Sequence, residues 1–168
     1  MKQKNLRPFG QQREYTTFDT EPMFSKATEY AIRAVIFIAQ KSNSETKVSL
    51  QEIAAAIDSP EFFTAKILQK LSGKNVLITS SRGRTGGFFM TDAAKKRPVM
   101  SVLEVMGEDE LFNKCVLGLD KCSELKPCPM HHQYKTVKKN LIALFERKTI
   151  AQLAAEVNAG NSFISSES

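Results

Sequence analysis

A chain of 168 residues, 42% apolar and 25% charged, is long enough for one domain with its own core, so metal is not needed simply to make it fold. That balance excludes a disordered or fibrous protein. No apolar run reaches the ~18 residues of a membrane-spanning helix, and the first 22 residues hold no secretory apolar stretch, so the cytoplasm is the expected compartment. The net charge of +6 is local: between Pro60 and Arg97 stand Lys66, Lys70, Lys74, Arg82, Arg84, Lys95, Lys96 and Arg97 against only Glu61 and Asp92. Such a patch attracts phosphate backbones, although a solvated lysine face is the ordinary alternative.

Residues 1–22 show neither helical nor alternating periodicity and end at Pro22, which predicts a flexible extension with the structured part beginning at Met23. From Ser25, a capping residue, Ala27, Ala31, Ala34, Val35 and Ile38 recur at three- and four-residue steps and predict a helix that the polar run KSNSETK ends. SLQE at 49–52 is a capping box. The short helix that it opens carries Ile53, Ala54 and Ile57. A second start signal follows at once, with Ser59 as cap and Pro60 at the first helical position. This next helix carries Phe63, Ile67, Leu68 and Leu71 on one side and stops at SGKN. Two short helices across one tight turn predict a helix-turn-helix whose second helix lies in a groove of DNA.

The stretch NVLITSSRGRTGGFFMT rises through β-branched residues, turns at Gly83, Gly86 and Gly87, and returns through FFMT, which predicts a hairpin. A hairpin directly after a helix-turn-helix is the wing of a winged helix. A phosphate-cradling loop is a poor alternative, because the Gly-Lys-Ser/Thr ending is missing. Past Lys95, Lys96, Arg97 and Pro98, SVLE at 101–104 reads as another capping box, opening a short helix to about Met106. Tyr134, Val137, Leu141, Leu144 and Phe145 then predict a helix of roughly four turns. TIAQ at 149–152 caps a last one with Leu153 and Val157, and residues 159–168 read as a flexible tail.

Every cysteine and histidine of the chain lies in CVLGLDKCSELKPCPMHH, residues 115–132. Cys115, Cys122 and Cys128 are separated by six and then five intervening residues, with His131 three positions beyond the last. Zinc ribbons instead place cysteines in close pairs. Pro127, Pro129 and Gly118 predict irregular backbone, and an odd number of thiols in a reducing compartment points to ligation or redox chemistry before disulfides. Soft thiolates select zinc, copper(I) or an iron–sulfur cluster. Spacing alone does not separate a cluster from one zinc held by three cysteines and a histidine, and a cysteine by itself is more often an inert small apolar residue.

In order, the KATEYAIRAV helix, the IAAAIDSPEFFTAKILQKL pair, the wing SSRGRTGGFFMT, the three-cysteine loop and the long following helix resemble the Rrf-two family of bacterial winged-helix transcription regulators, over about Met23 to Val157. The resemblance implies a mainly α fold with a small β-hairpin wing, organised as a winged helix-turn-helix domain (23–98), a short helix and cysteine-rich loop (99–130) and dimerisation helices (131–158). It implies a homodimer in which the long helix crosses its twin. It also implies a 2Fe-2S or 4Fe-4S cluster on Cys115, Cys122 and Cys128, with His131 or, in other branches, Glu29 as fourth ligand. The six residues between the first two cysteines depart from the commoner five. Lys66, Lys70, Arg82 and Arg84 are the candidate phosphate contacts. Ser59, Glu61 and Thr64 are the candidate base readers, with Arg84 and Thr85 entering the minor groove. An iron–sulfur electron carrier, or a regulator with a zinc or bare-thiol loop, are the alternatives. No triad or paired-carboxylate site is present, and catalysis is not expected.

Overall fold

A computed structural model of the chain describes residues 23–73, 77–83, 85–119, 123–160 and 163–164. The expected extension 1–22 and most of the expected tail lie outside them, as do Lys74, Arg84 and Cys122.

Helix α1 (Lys26–Lys41) is the axle of the head. The stripe that its sequence period defined is the buried one: Ala31, Ala34 and Ile38 are inaccessible and Val35 nearly so. Ser25 caps it, its hydroxyl accepting from the Thr28 amide. α2 (Leu50–Ala56) opens on the expected capping box, with Ser49 Oγ accepting from the Glu52 amide and a Glu52 carboxylate oxygen accepting from the Ser49 amide at 2.7 Å. α3 (Glu61–Leu71) starts one residue later than expected. Pro60, not Ser59, is its cap residue, with φ −57° and ψ 137°, and its carbonyl takes the amides of Phe63 and Thr64. Ser59 Oγ is buried in the turn without a hydrogen bond, so Ser59 caps nothing.

The wing is the expected antiparallel hairpin, β1 (Thr79–Ser81) on β2 (Gly87–Phe89), with Ser80 opposite Phe88. A third stretch of backbone joins it, because Val48 exchanges both hydrogen bonds with Phe88 at 2.9 and 2.8 Å. The approach is close enough that a Cβ on Gly87 would stand 2.7 Å from the Val48 carbonyl oxygen.

Two elements have no counterpart in the sequence reading: α4 (Asp92–Lys95), capped by Thr91, and a 3₁₀ turn over Asp109–Asn113. α5 (Met100–Met106) corrects another expectation. Ser101 is not its cap but a buried residue of its first turn. The helix is instead started by the chain crossing Lys148, whose carbonyl accepts from the Val99 amide at 2.9 Å. Gly107, at φ 80°, ends it in the left-handed conformation that glycine adopts without strain.

α6 (His131–Arg147) is the expected long helix, and α7 (Ile150–Asn158) opens on the expected capping box of Thr149 and Gln152. α7 does not belong with α6. Ile150 is inaccessible and Ala154 nearly so, within the same core as α1, and Gln40 donates to Asn158 across the two helices at 2.9 Å. That core also takes Ile53, Ile57, Ile67, Leu68, Leu71, Leu77, Ile78 and Met90, each contributing ~1.5–3 kcal/mol by burial. A second, smaller cluster of Met100, Leu103 and Phe112 takes Phe24, Leu141, Ile142 and Phe145 and seats α6 on the head. The Phe24 and Phe145 rings meet edge to face at 5.5 Å. No helix of the described residues is long and apolar enough to cross a membrane.

Candidate nucleic-acid interface and cysteine loop

α3 presents two faces. Thr64, Ile67, Leu68 and Leu71 point into the core. Glu61, Phe62, Lys66, Gln69 and Lys70 are exposed. The cations Lys66 and Lys70 therefore face solvent. Thr64 does not stand where a base contact needs it: it is completely inaccessible, because at three, four and seven positions from Ile67, Leu68 and Leu71 it shares their inward face, and it is withdrawn as a base reader. Ser59 is withdrawn for the same reason, its hydroxyl being buried. Glu61 is exposed but engaged, its carboxylate accepting from the Gln51 amide group at 3.4 Å.

On the wing, Arg82 and Thr85 are exposed, and Arg84 falls outside the described residues. The lysine ammonium of Lys47 donates to Ser81 Oγ at 3.0 Å and reaches the Thr85 carbonyl at 3.5 Å, so it braces the wing from the segment beside it. Lys47, Phe62 and Gln69 are absent from the sequence reading. The helical period that selected Ile67 and Leu71 as core would have assigned Phe62 and Gln69 to the opposite side. Lys47 carried no such signal, since its pairing is with residues 34 and more positions away.

The cysteine loop sits at the foot of α6. Cys115 and Cys128 are half-buried free thiols. His131 is the first residue of α6 and is 5% exposed, and its amide donates to the Cys128 carbonyl at 3.0 Å. Its Nε2 lies 3.3 Å from a Glu124 carboxylate oxygen, and its ring meets His132 edge to face at 5.1 Å. Glu124 also bonds the Lys135 ammonium, and these two partners, Lys135 foremost, hold its carboxyl below the ordinary value. A cavity of about 520 Å³ along α6 is lined by Cys115, Glu124 and His131 at one end and by Ile142 and Ala143 further along. Cys122 lies outside the described residues, and among those described no three cysteine, histidine or carboxylate side chains close round one ion.

Glu29 is in the first turn of α1, paired with Lys26 at 3.1 Å. The stem of the cysteine loop reaches the same turn. The Glu108 carboxylate accepts from the Ser25 amide at 3.1 Å, from the Thr28 hydroxyl at 2.9 Å and from the Ser25 hydroxyl. The start of α1 is thus tied to the segment that leads into Cys115.

The family profile of Rrf2, described as iron-dependent transcriptional regulator, matches residues 24–156. An HTH-type transcriptional regulator of Aquifex aeolicus is 31% identical over 133 residues, 78% of this chain and 90% of that protein. The HTH-type transcriptional regulator NsrR of Oceanobacillus iheyensis is 27% identical over 122 residues, 72% of this chain and 80% of its own length. Among solved structures, CymR, the global cysteine regulator of B. subtilis, superposes with a TM-score of 0.63 at 17% identity, covering 80% of this chain and 97% of that one. IscR of T. potens gives 0.63 at 19%, covering 84% and 93%. The fold expected from the sequence, mainly α with a hairpin wing, is the one these neighbours share. With its outward cations on α3 and the wing, and with the family profile spanning head, loop and long helix, the chain belongs to the Rrf2 family of transcriptional regulators, DNA-binding proteins and not enzymes.

Proposed function

We propose that this regulator works as a homodimer whose hold on DNA is gated by an iron–sulfur cluster bound at the loop 115–128. The observation that carries the reading is the placement of a buried imidazole and two free thiols together at the foot of α6. Their donor chemistry fits such a group: Cys115, Cys122 and Cys128 would supply thiolates, with His131 or Glu29 completing the set. A bound cluster would supply one-electron redox chemistry at iron, beyond the oxidation and nitrosylation open to thiols.

The remaining steps belong to the chain's own residues. In the present arrangement Glu124 stands against Nε2 of His131, so ligation through that nitrogen requires the carboxylate to move toward Lys135, which already binds it. Glu108 ties the loop stem to the first turn of α1, so a change in the loop's shape pulls on the helix that centres the head. The second copy is supported by the exposed apolar residues Met130, Val137 and Leu144 along α6, at steps of seven. Val137 is 61% and Leu144 54% exposed, and such a stripe pairs with another helix of the same kind. On each head Lys66, Lys70, Arg82 and Arg84 bind phosphates, which fixes register and makes affinity fall with salt, while Glu61 and Thr85 lie at the edges of the contact. Gating requires the two loop states to differ in DNA affinity by the ~1–3 kcal/mol typical of coupled sites.

Purification without oxygen, with iron and sulfide quantified and the visible spectrum recorded, tests this. The expected protein is brown, and Cys122→Ala is colourless. Colourless, iron-free protein whose DNA binding ignores the state of its thiols would overturn the proposal. Zinc in place of iron would move the reading to a zinc-loop regulator of the same fold.

A further inference from the structure

Among the described residues from Phe24 to Cys115, one large apolar side chain is exposed: Phe62, at 69%. Its place is not arbitrary. At about 100° per residue, Leu71 lies half a turn round from it, and Leu71 is inaccessible, so Phe62 marks the centre line of the outward face of α3. Gln69 and Lys66 flank that line, and the Lys66 ammonium sits 6.0 Å above the Phe62 ring. Glu61 is turned to the side of the helix and is held by Gln51. An exposed apolar ring with a cation beside it is poorly matched to water. It is well matched to a surface that is anionic at its rims and apolar at one point.

The major groove offers such a surface wherever a thymine projects its 5-methyl group between two phosphate strands. We propose that Phe62 is a specificity-determining residue that reads a thymine 5-methyl group in the major groove, while Lys66 and Lys70 take the phosphates on either side. The inference rests on the family reading of the chain as a DNA-binding regulator and adds which base it selects and by which atom. It assigns base reading to a ring that makes no hydrogen bond, in place of the polar residues Ser59 and Thr64 that the fold buries.

The test uses the full chain, prepared with and without oxygen, in rounds of selection from a random duplex library, in parallel with Phe62→Ala. Each thymine of the enriched site is then replaced singly by deoxyuridine, which removes the methyl and leaves the pairing intact. The wild-type chain is expected to lose roughly four-fold in affinity at one thymine per half-site, the ratio for one buried methyl-sized group. Phe62→Ala should bind the thymine site correspondingly more weakly, be indifferent to deoxyuridine there, and keep the same salt slope, since no charge has changed. Because Phe62 is exposed, the variant should melt at the wild-type temperature, which separates a reading defect from misfolding. If the two proteins enrich the same site and lose equally on deoxyuridine, Phe62 is not the reader and the inference fails while DNA binding stands. If the wild-type chain enriches nothing in either preparation, sequence-specific binding itself fails, and the inference with it.

Discussion

At the scale of single residues, the side chains divide by what holds them. Lys66 and Lys70 project from α3 with exposed ends, so each acts on DNA as a mobile charge. Lys66→Ala should therefore weaken binding to all sequences alike and reduce the slope of log affinity against log salt by about 1 per copy of the head, read by fluorescence anisotropy at several salt concentrations. Glu108 is held. Partial burial pushes its carboxyl up, but the hydroxyl and amide of Ser25 and the hydroxyl of Thr28 outweigh that and keep it below the ordinary 4.5. A carboxylate whose folded value is depressed stabilises the fold above its unfolded value and loses that contribution as pH falls through the folded one. Glu108→Gln should cost about 1 kcal/mol at pH 7, and the gap from wild type should close on acidification below about 4.5, as seen in thermal melts across that range. Neither Glu108 nor Glu124 was legible in the sequence. Their partners lie 80 and more residues away in the first case and across an irregular loop in the second, and nothing periodic marks such pairings.

At the scale of elements, the wing depends on a close approach of backbones. Val48 bonds Phe88 from one side while β1 bonds it from the other, and Gly87, at φ 154°, leaves the room for this. Gly87→Ala would press its Cβ against the Val48 carbonyl. It should destabilise the fold by about 1–3 kcal/mol, visible as a lower denaturation midpoint, and should weaken DNA binding through the displaced wing. Local grammar was readable where the helix start is set by its own residues. The capping boxes at Ser49 and Thr149 formed as written. The same pattern at Ser101 did not, because there the helix start is set by a crossing strand of backbone at Lys148 and the serine is drawn into the core. Ser59 failed similarly: Pro60 already fixes the entry to α3, and the hydroxyl turns inward. The thiols and imidazoles were found by composition alone, since no other part of the chain contains either. Their mutual geometry was not, because loop backbone has no period from which to calculate it.

At the scale of the whole molecule, α6 is seated on the head by Phe112, Phe145 and Phe24 at one end and carries its exposed apolar stripe outward. In the proposed homodimer, Val137→Glu would set two carboxylates facing each other in the seam and should convert the dimer to a monomer. Sedimentation velocity would show the change, and operator affinity should fall by at least ten-fold once the two heads bind independently. The long helix was legible from its heptad-like spacing. That α7 would leave it and return to α1 was not, for Ile150 and Ala154 look the same in sequence whichever core they enter. That return has a mechanical result. The backbone pairs between Val99 and Lys148 and between Arg97 and Ile150, at 2.9 and 3.1 Å, pinch the chain shut where it leaves and re-enters the head. Everything from 99 to 148 is a closed loop with a stapled neck, so a protease that nicks it near the thiols should yield two fragments that still travel together through a sizing column and separate only in denaturant.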